Sequence, residues 1–282
     1  MRTVVTRHET PSGVWEFAER APQPALRADF GRLVGFEERY RAPLRRLEVP
    51  FAGAALIVSL GPSHRMLDPE RPDAPAQVRR SFIAGVHDQA TLVEHDGISR
   101  GLEIHFTPLG ARRFLGLPGG ELTNQVVELE DVLGREAREL AEELDGLPTW
   151  DARFDRLEAA VLARARRAPL LPPAVEWAWR RLRDTHGGAE VGALARELGC
   201  SRRHLARSFG AELGLPPKAL ARVLRFERAA GLLRAGRGLA DVAYSCGYYD
   251  QPHFNRDFRA LAGTTPTDFL ARALPGGAGT AG

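Results

Sequence analysis

Two segments of the chain set histidine, arginine and phenylalanine at matching intervals. One carries His204, Arg207 and Phe209; the other carries His253, Arg256 and Phe258. In each, an alanine (Ala195, Ala243) precedes a glycine (Gly199, Gly247) by four positions. In each, a glycine (Gly214, Gly263) and then a proline (Pro217, Pro266) follow the phenylalanine at identical distances. One extra residue separates the halves of the second copy. The chemistry on offer is recognition: planar guanidinium forks match phosphate oxygens and the O6/N7 edge of guanine. No Ser-His-Asp arrangement and no phosphate-binding glycine-rich loop is legible anywhere in the chain.

Two short helices crossing steeply need a small residue where they approach, which Ala195 and Ala243 supply. The turn between them needs a residue tolerant of positive φ, which Gly199 and Gly247 supply. Ser201 and Asp250 fall where the second helix of each unit needs an N-cap. Leu205 and Phe209, like Phe254 and Phe258, stand at i and i+4 and face a core. Arg202, Arg203 and Arg207 are then left outward on one second helix, and Gln251, His253, Asn255 and Arg256 on the other. That is a helix-turn-helix used twice. A plain bundle with solvated arginines is the bland alternative, and the repetition weighs against it. Residues 217–235 read as one continuous helix of roughly 30 Å, close to the roughly 34 Å of one DNA turn.

Charge divides along the same line. Residues 1–173 carry a net −3 and residues 174–282 a net +6, with Lys218 the lone lysine. The excess sits only in the helical part, which fits a phosphate backbone or a solvated basic face. The 282 residues are 44% hydrophobic and 27% charged, enough for two cores and unlike a disordered or collagenous chain. Cys200 and Cys246 are too far apart and too few for a disulfide framework or a structural zinc site. The longest apolar run, residues 51–60, falls well short of the ~20 residues that span a membrane. The N-terminus lacks the apolar stretch of a secretory signal, so the expected location is the cytoplasm with no membrane partner.

The elements that must hold these helices also divide in two. Residues 169–173, Pro-Leu-Leu-Pro-Pro, form the clearest linker and stop a helix over 150–166. Before it, residues 51–60, 78–86 and 102–106 read as strands. Short helices follow over 111–116, 128–133 and 136–144. After it, residues 174–275 read as helical throughout. The expected fold class is α+β, with residues 1–168 as a β-barrel with helices and residues 174–275 as an all-α domain.

The helical part resembles the AraC/XylS family of bacterial transcription regulators, above all in Gly247-Tyr-Tyr-Asp-Gln-Pro-His-Phe-Asn-Arg-Asp-Phe258 followed by Gly263-Thr-Thr-Pro266. The resemblance implies seven helices and two helix-turn-helix units joined by a long helix. By position it implies base-facing roles for Arg203, Ala206 and Arg207, and for Gln251, Pro252, His253 and Arg256. Arg202 and Asn255 complete the expected DNA-facing set. Ala206 stands where some members carry a polar side chain and offers only apolar contact to a thymine methyl. Pro252 is harmless in a first helical turn but removes a phosphate donor. His204 reads equally as a partly buried, hydrogen-bonded side chain and as a DNA contact.

The family's variable domain usually senses a small molecule or mediates dimerisation, and the strand-then-helix order here is similar to its cupin-like sensory domains. The expected partners are therefore double-stranded DNA, a small-molecule effector, a second copy of the chain, and RNA polymerase if the protein activates; no cofactor and no metal is expected. His8, His64, His87, His95 and His105 match no compact ligand motif. His105 alternates onto the face opposite Ile104 and so points into a barrel. Trp15, Phe17 and Phe36 are candidates for a pocket wall. The helix over 151–166 is a candidate for pairing with its copy. Two enzyme readings compete with the regulator. A cupin-type metalloenzyme fused to a DNA-binding module requires bound metal that depends on His105. A DNA-repair methyltransferase requires reactive cysteines, and residues 1–199 contain none.

Overall fold

The computed structural model describes residues 2–68, 71, 74–272 and 280–281. It is α+β. The strands are β1 (Val4–Thr10), β2 (Gly13–Arg20), β3 (Phe30–Tyr40), β4 (Leu44–Glu48), β5 (Ala54–Ser59), β6 (His64–Leu67), β7 (Gln77–Arg79), β8 (Phe82–Ala84), β9 (Thr91–His95), β10 (Ile98–Phe106), β11 (Val126–Glu128) and β12 (Thr280–Ala281). Four helices join the N-terminal half: α1 (Pro108–Leu115), α2 (Leu129–Leu133), α3 (Arg135–Gly146) and α4 (Trp150–Ala165). The strands form two antiparallel sheets, ordered β1-β2-β3-β10-β5-β8-β11 and β12-β4-β9-β6-β7. Both sheets line one interior, although no ladder joins them among the described residues. The cupin-like barrel is thus a two-sheet sandwich.

Alternation along the central strands decides what faces what, because successive side chains point to opposite faces. Leu102, Ile104 and Phe106 of β10 and Leu56 and Val58 of β5 pack against Phe114, Leu140, Phe154, Leu157 and Val161 of the helices. Glu103, His105, Ala55 and Ile57 point the other way, into the interior. The apolar stripe of α4 is spent on this core, and its Asp151, Asp155, Ala159 and Ala163 face solvent. Two carboxylates and two single methyl groups leave no broad apolar stripe outward for pairing with a copy.

The run 78–86, which reads as one strand, is two. β7 belongs to one sheet and β8 to the other. The break is held at Arg80 and Ser81, whose backbone N–H groups both donate to the Glu128 carboxylate at 3.0 Å. The Ser81 hydroxyl accepts from the Ser59 N–H at 3.1 Å. A side-chain carboxylate thus replaces the ladder at the crossing.

Seven helices follow: α5 (Pro173–Asp184), α6 (Val191–Glu197), α7 (Arg202–Leu213), α8 (Pro217–Arg234), α9 (Leu239–Ser245), α10 (Gln251–Ala262) and α11 (Pro266–Ala271). The expected helical stretch ends at 275, and its residues 273–275 lie outside the described residues. Trp179, Phe209, Phe226, Phe254, Phe258 and Phe269 build a second core. Ala52, Val86 and Leu109 of the N-terminal half join that cluster, so the halves share packed apolar surface.

Candidate functional site

The two repeated units fold as the sequence requires. Gly199 and Gly247 take φ +64° and +74°, the left-handed region that costs other residues strain. The Ser201 hydroxyl accepts from the His204 N–H at 3.1 Å, and Asp250 Oδ1 accepts from the His253 N–H at 2.6 Å. Each cap satisfies an otherwise orphaned donor at the start of α7 or α10. Ala195 and Ala243 are buried, as are Leu205, Phe209, Phe254 and Phe258.

Of the expected DNA-facing residues, Arg202, Arg203, Arg207, Pro252, His253 and Arg256 are exposed, while Ala206, Gln251 and Asn255 are half-buried. Arg203, Arg207 and Arg256 have no carboxylate within ion-pair distance among the described residues. Arg202 leans back toward Glu190 at 3.9 Å. Asn255 turns partly inward, its Oδ1 buried without a hydrogen-bond partner. His253 packs edge-on against Tyr248, with ring centroids 5.4 Å apart. His204 is exposed, which removes the partly buried alternative. Two tyrosines that sequence reasoning passed over stand beside the second unit: Tyr244 at the end of α9 and Tyr249 before α10, at 87% and 93% exposure.

A model described as a helix-turn-helix domain matches residues 194–272, the stretch holding both units. The HTH-type transcriptional activator RhaS of Escherichia coli is 35% identical over 88 residues, 30% of this chain and 32% of that protein. Residues 194–272 are thus a helix-turn-helix domain of the AraC type. A second relative, a Mycobacterium tuberculosis protein named as a probable bifunctional transcriptional activator/DNA repair enzyme AlkA, is 34% identical over 129 residues. That match covers 45% of this chain and 23% of the relative. The chain thus spans about a quarter to a third of the curated relatives it matches. Among solved structures, a probable AraC family transcriptional regulator from Rhodopseudomonas palustris is 29% identical, covering 37% of this chain and all of that one, with a TM-score of 0.33.

The sandwich holds a cavity of about 470 Å³. Phe17, Phe36, Phe51 and Phe82 line its walls, and Phe226, Glu227, Ala230 and Arg234 of α8 complete them. The expected Phe17 and Phe36 are there. Trp15 is not: it is buried between His8 and Tyr40, stacked on both. His105 does point inward, paired with the Glu103 carboxylate. Burial works against the His105 charge, but the neighbouring Glu103 outweighs it and raises the imidazole.

At the other end, the Glu38 carboxylate is fully buried and paired with Arg46. Burial raises Glu38 despite that partner. His64 and His95 are pushed down to about 4, mainly by burial and then by the Arg46 charge. His87 is also lowered by burial, its Nδ1 2.7 Å from the Gly85 carbonyl. Four of the five N-terminal histidines therefore converge on one cavity, and His8 lies outside it. Among the described residues, no three His, Cys, Asp or Glu side chains are arranged to hold a metal ion. No helix of the described residues is long and apolar enough to cross a membrane.

The cavity and the helices are mechanically linked. Glu227 of α8, raised by burial, accepts the Ala52 N–H at 3.2 Å. Arg112 of α1 donates to Glu212 of α7 at 3.0 Å, and Thr123 donates to the Gly214 carbonyl at 2.6 Å. Gly119 lies so close to α7 that a Cβ there would stand 2.9 Å from the Glu212 carbonyl oxygen. The C-terminal end of α7 is thus clamped to the N-terminal half, while its N-terminal turns face solvent.

Proposed function

We propose that this protein is a sequence-specific DNA-binding transcription regulator controlled by a small effector in the sandwich cavity. The observation that carries the reading is the pair of capped, outward-facing helices whose Arg203, Arg207 and Arg256 have no ion-pair partner among the described residues. Residues 174–275 form the DNA-reading domain, and residues 1–168 the sensory and dimerisation domain. Arg203, Ala206 and Arg207 read one major groove; Gln251, Pro252, His253 and Arg256 read the next; Arg202 and Asn255 support them. The 18 residues of α8 span about 27 Å, so α7 and α10 address one face of the duplex. The effector touches α8 directly through Phe226, Glu227 and Arg234, and so biases how the two helices are presented. RNA polymerase is a further partner if the protein activates, and the cytoplasm is where these partners are met.

The metalloenzyme alternative finds no support in the cavity: His105, its key residue, is engaged by Glu103. Selection of bound sequences from a random duplex pool, at two salt concentrations, tests the regulator. Two short preferred elements about one helical turn apart support it. Absence of enrichment, with all binding lost at moderate salt, leaves only unspecific phosphate attraction and overturns it.

The partner that fits the sandwich edge is a second copy. β1 is the terminal strand of the larger sheet, unbroken over seven residues, with Val4 and Val5 exposed. The opposite edge strand, β11, has only three residues, the usual protection against edge pairing. Antiparallel self-pairing of β1 about His8 sets Arg7 opposite Glu9 and Thr6 opposite Thr10. Charge reversal at Arg7 alone then yields monomer by light scattering, and the swap Arg7→Glu with Glu9→Arg restores the dimer. A dimer indifferent to the single reversal contradicts this interface.

A further inference from the structure

The polar end of the cavity has unmet hydrogen-bonding capacity. Both ring nitrogens of His95 lack a partner, although the residue is only 3% exposed. His64 Nδ1, Arg46 Nε and Glu38 Oε2 are unpaired too. His95 Nε2 stands 3.7 Å from Glu38 Oε2, beyond a hydrogen bond. His64 spends only its Nε2, on the Ser99 hydroxyl at 2.9 Å. Buried polar groups almost always have partners, so this many orphans around one cavity point to an occupant.

Its charge can be argued from the same residues. The end holds no excess positive charge, since Arg46 is paired with Glu38 and also feels the cavity-lining Glu48 carboxylate. A further cation meets the Arg46 field, the same field that helps hold His64 and His95 neutral. A further anion meets the fully buried Glu38 carboxylate. A neutral imidazole offers one donor and one acceptor, and a hydroxyl or carboxamide answers both. Beside these groups the wall is apolar and flat-sided, from Phe17, Phe36, Ile57, Met66 and Phe82, while Glu48, Glu103, His105, Glu227 and Arg234 line the rest of the cavity. A cavity of about 470 Å³ suits a small organic ligand.

Resting on the effector reading above, we propose that the cavity binds an uncharged molecule with an aromatic body and a hydroxyl or carboxamide head, the head seated among His64, His95 and Arg46. The test keeps one body and changes the head: calorimetric titration of the full chain at neutral pH with 2-phenylethanol, phenylacetamide, phenylacetate and phenethylamine. The two neutral compounds bind at least about tenfold more tightly than either ion. His95→Leu removes that preference, and His95→Asn, which keeps a donor and an acceptor, retains it. Ile57→Trp, which fills the wall, abolishes binding of all four, and it serves if His95→Leu does not fold. Equal or tighter binding of the acid or the amine overturns the proposal, as does no binding by any of the four at millimolar concentration. None of these readouts uses DNA, so this proposal and the regulator reading fail or stand separately.

Discussion

The two halves of the molecule keep their unpaired polar groups in opposite places. The C-terminal helices hold Arg203, Arg207 and Arg256 outside, without an ion-pair partner among the described residues. The N-terminal sandwich holds the free nitrogens of His64 and His95 inside, beside the Arg46–Glu38 pair. An exposed guanidinium costs the fold little, since water solvates it, so its placement is free to serve a large polyanion. A buried unpaired imidazole costs stability unless something fills the site. The difference teaches that one half is built for a partner it meets at its surface, and the other for one it encloses.

The comparison is sharpest in its pH dependence. His64 and His95 titrate near 4 in the folded chain against an ordinary 6.5. Below about 6.5 the unfolded chain binds protons that the folded one does not, so stability falls as pH drops from there toward 4. The loss grows to the order of 3 kcal/mol per histidine at the bottom of that window. Urea unfolding of the native chain and of a His64→Gln/His95→Gln variant, run across the window, measures the difference. Parallel curves would mean that the sandwich does not hold these rings neutral.

Arg207→Ala makes the opposite prediction for the other half. Affinity for the selected duplex drops by about ten- to a hundredfold, from the roughly 1–3 kcal/mol of a bidentate guanine contact. Stability changes by less than about 0.5 kcal/mol. Equal loss on every sequence means that this arginine touches phosphate only. Severing the clamp between the halves comes next. Arg112 is only 7% exposed and Glu212 is its partner, so Glu212→Ala lowers stability by about 1–3 kcal/mol. It also weakens any effector dependence of DNA binding. Arg256→Ala has the smallest effect, roughly tenfold or less, confined to the second element; a loss larger than that of Arg207→Ala reverses the ranking of the two helices.

That ranking follows from how each helix is held. α7 carries three arginines in its first six residues and is tied to α1 by the Arg112–Glu212 pair. α10 packs on α8, α9 and α11. No hydrogen bond or ion pair among the described residues joins residues 239–272 to residues 2–168. Polar contacts thus tie the N-terminal half to α7 and α8, and beyond α11 the β12 strand pairs with β4.

The helix-turn-helix units were legible because their determinants are local. The glycine turn, the caps at Ser201 and Asp250 and the i, i+4 core pairs all lie within a few residues of each other. Alternation also placed His105 correctly, and the candidates Phe17 and Phe36 do line the cavity. The third candidate, Trp15, does not, because its ring is held outside the cavity by His8 and Tyr40. The Glu38, Arg46, His64 and His95 cluster was not legible. It depends on pairings such as Leu44 with His95 and Arg65 with Glu94, which join strands distant in sequence. The share of α8 in the cavity wall was hidden likewise, since Glu227 and Arg234 look from sequence like solvated helix residues. The inward turn of Asn255 is a tertiary effect that helical periodicity does not contain.

In the proposed mode of binding, α8 holds two helices rigidly enough to read one face of DNA at two places. Inserting about five base pairs, half a helical turn, between the two elements of a selected duplex tests it most directly. Affinity then falls to that of a duplex bearing one element alone, and restoring a full turn does not recover it, because α8 spans a single spacing. Unchanged affinity on the half-turn insertion would contradict it.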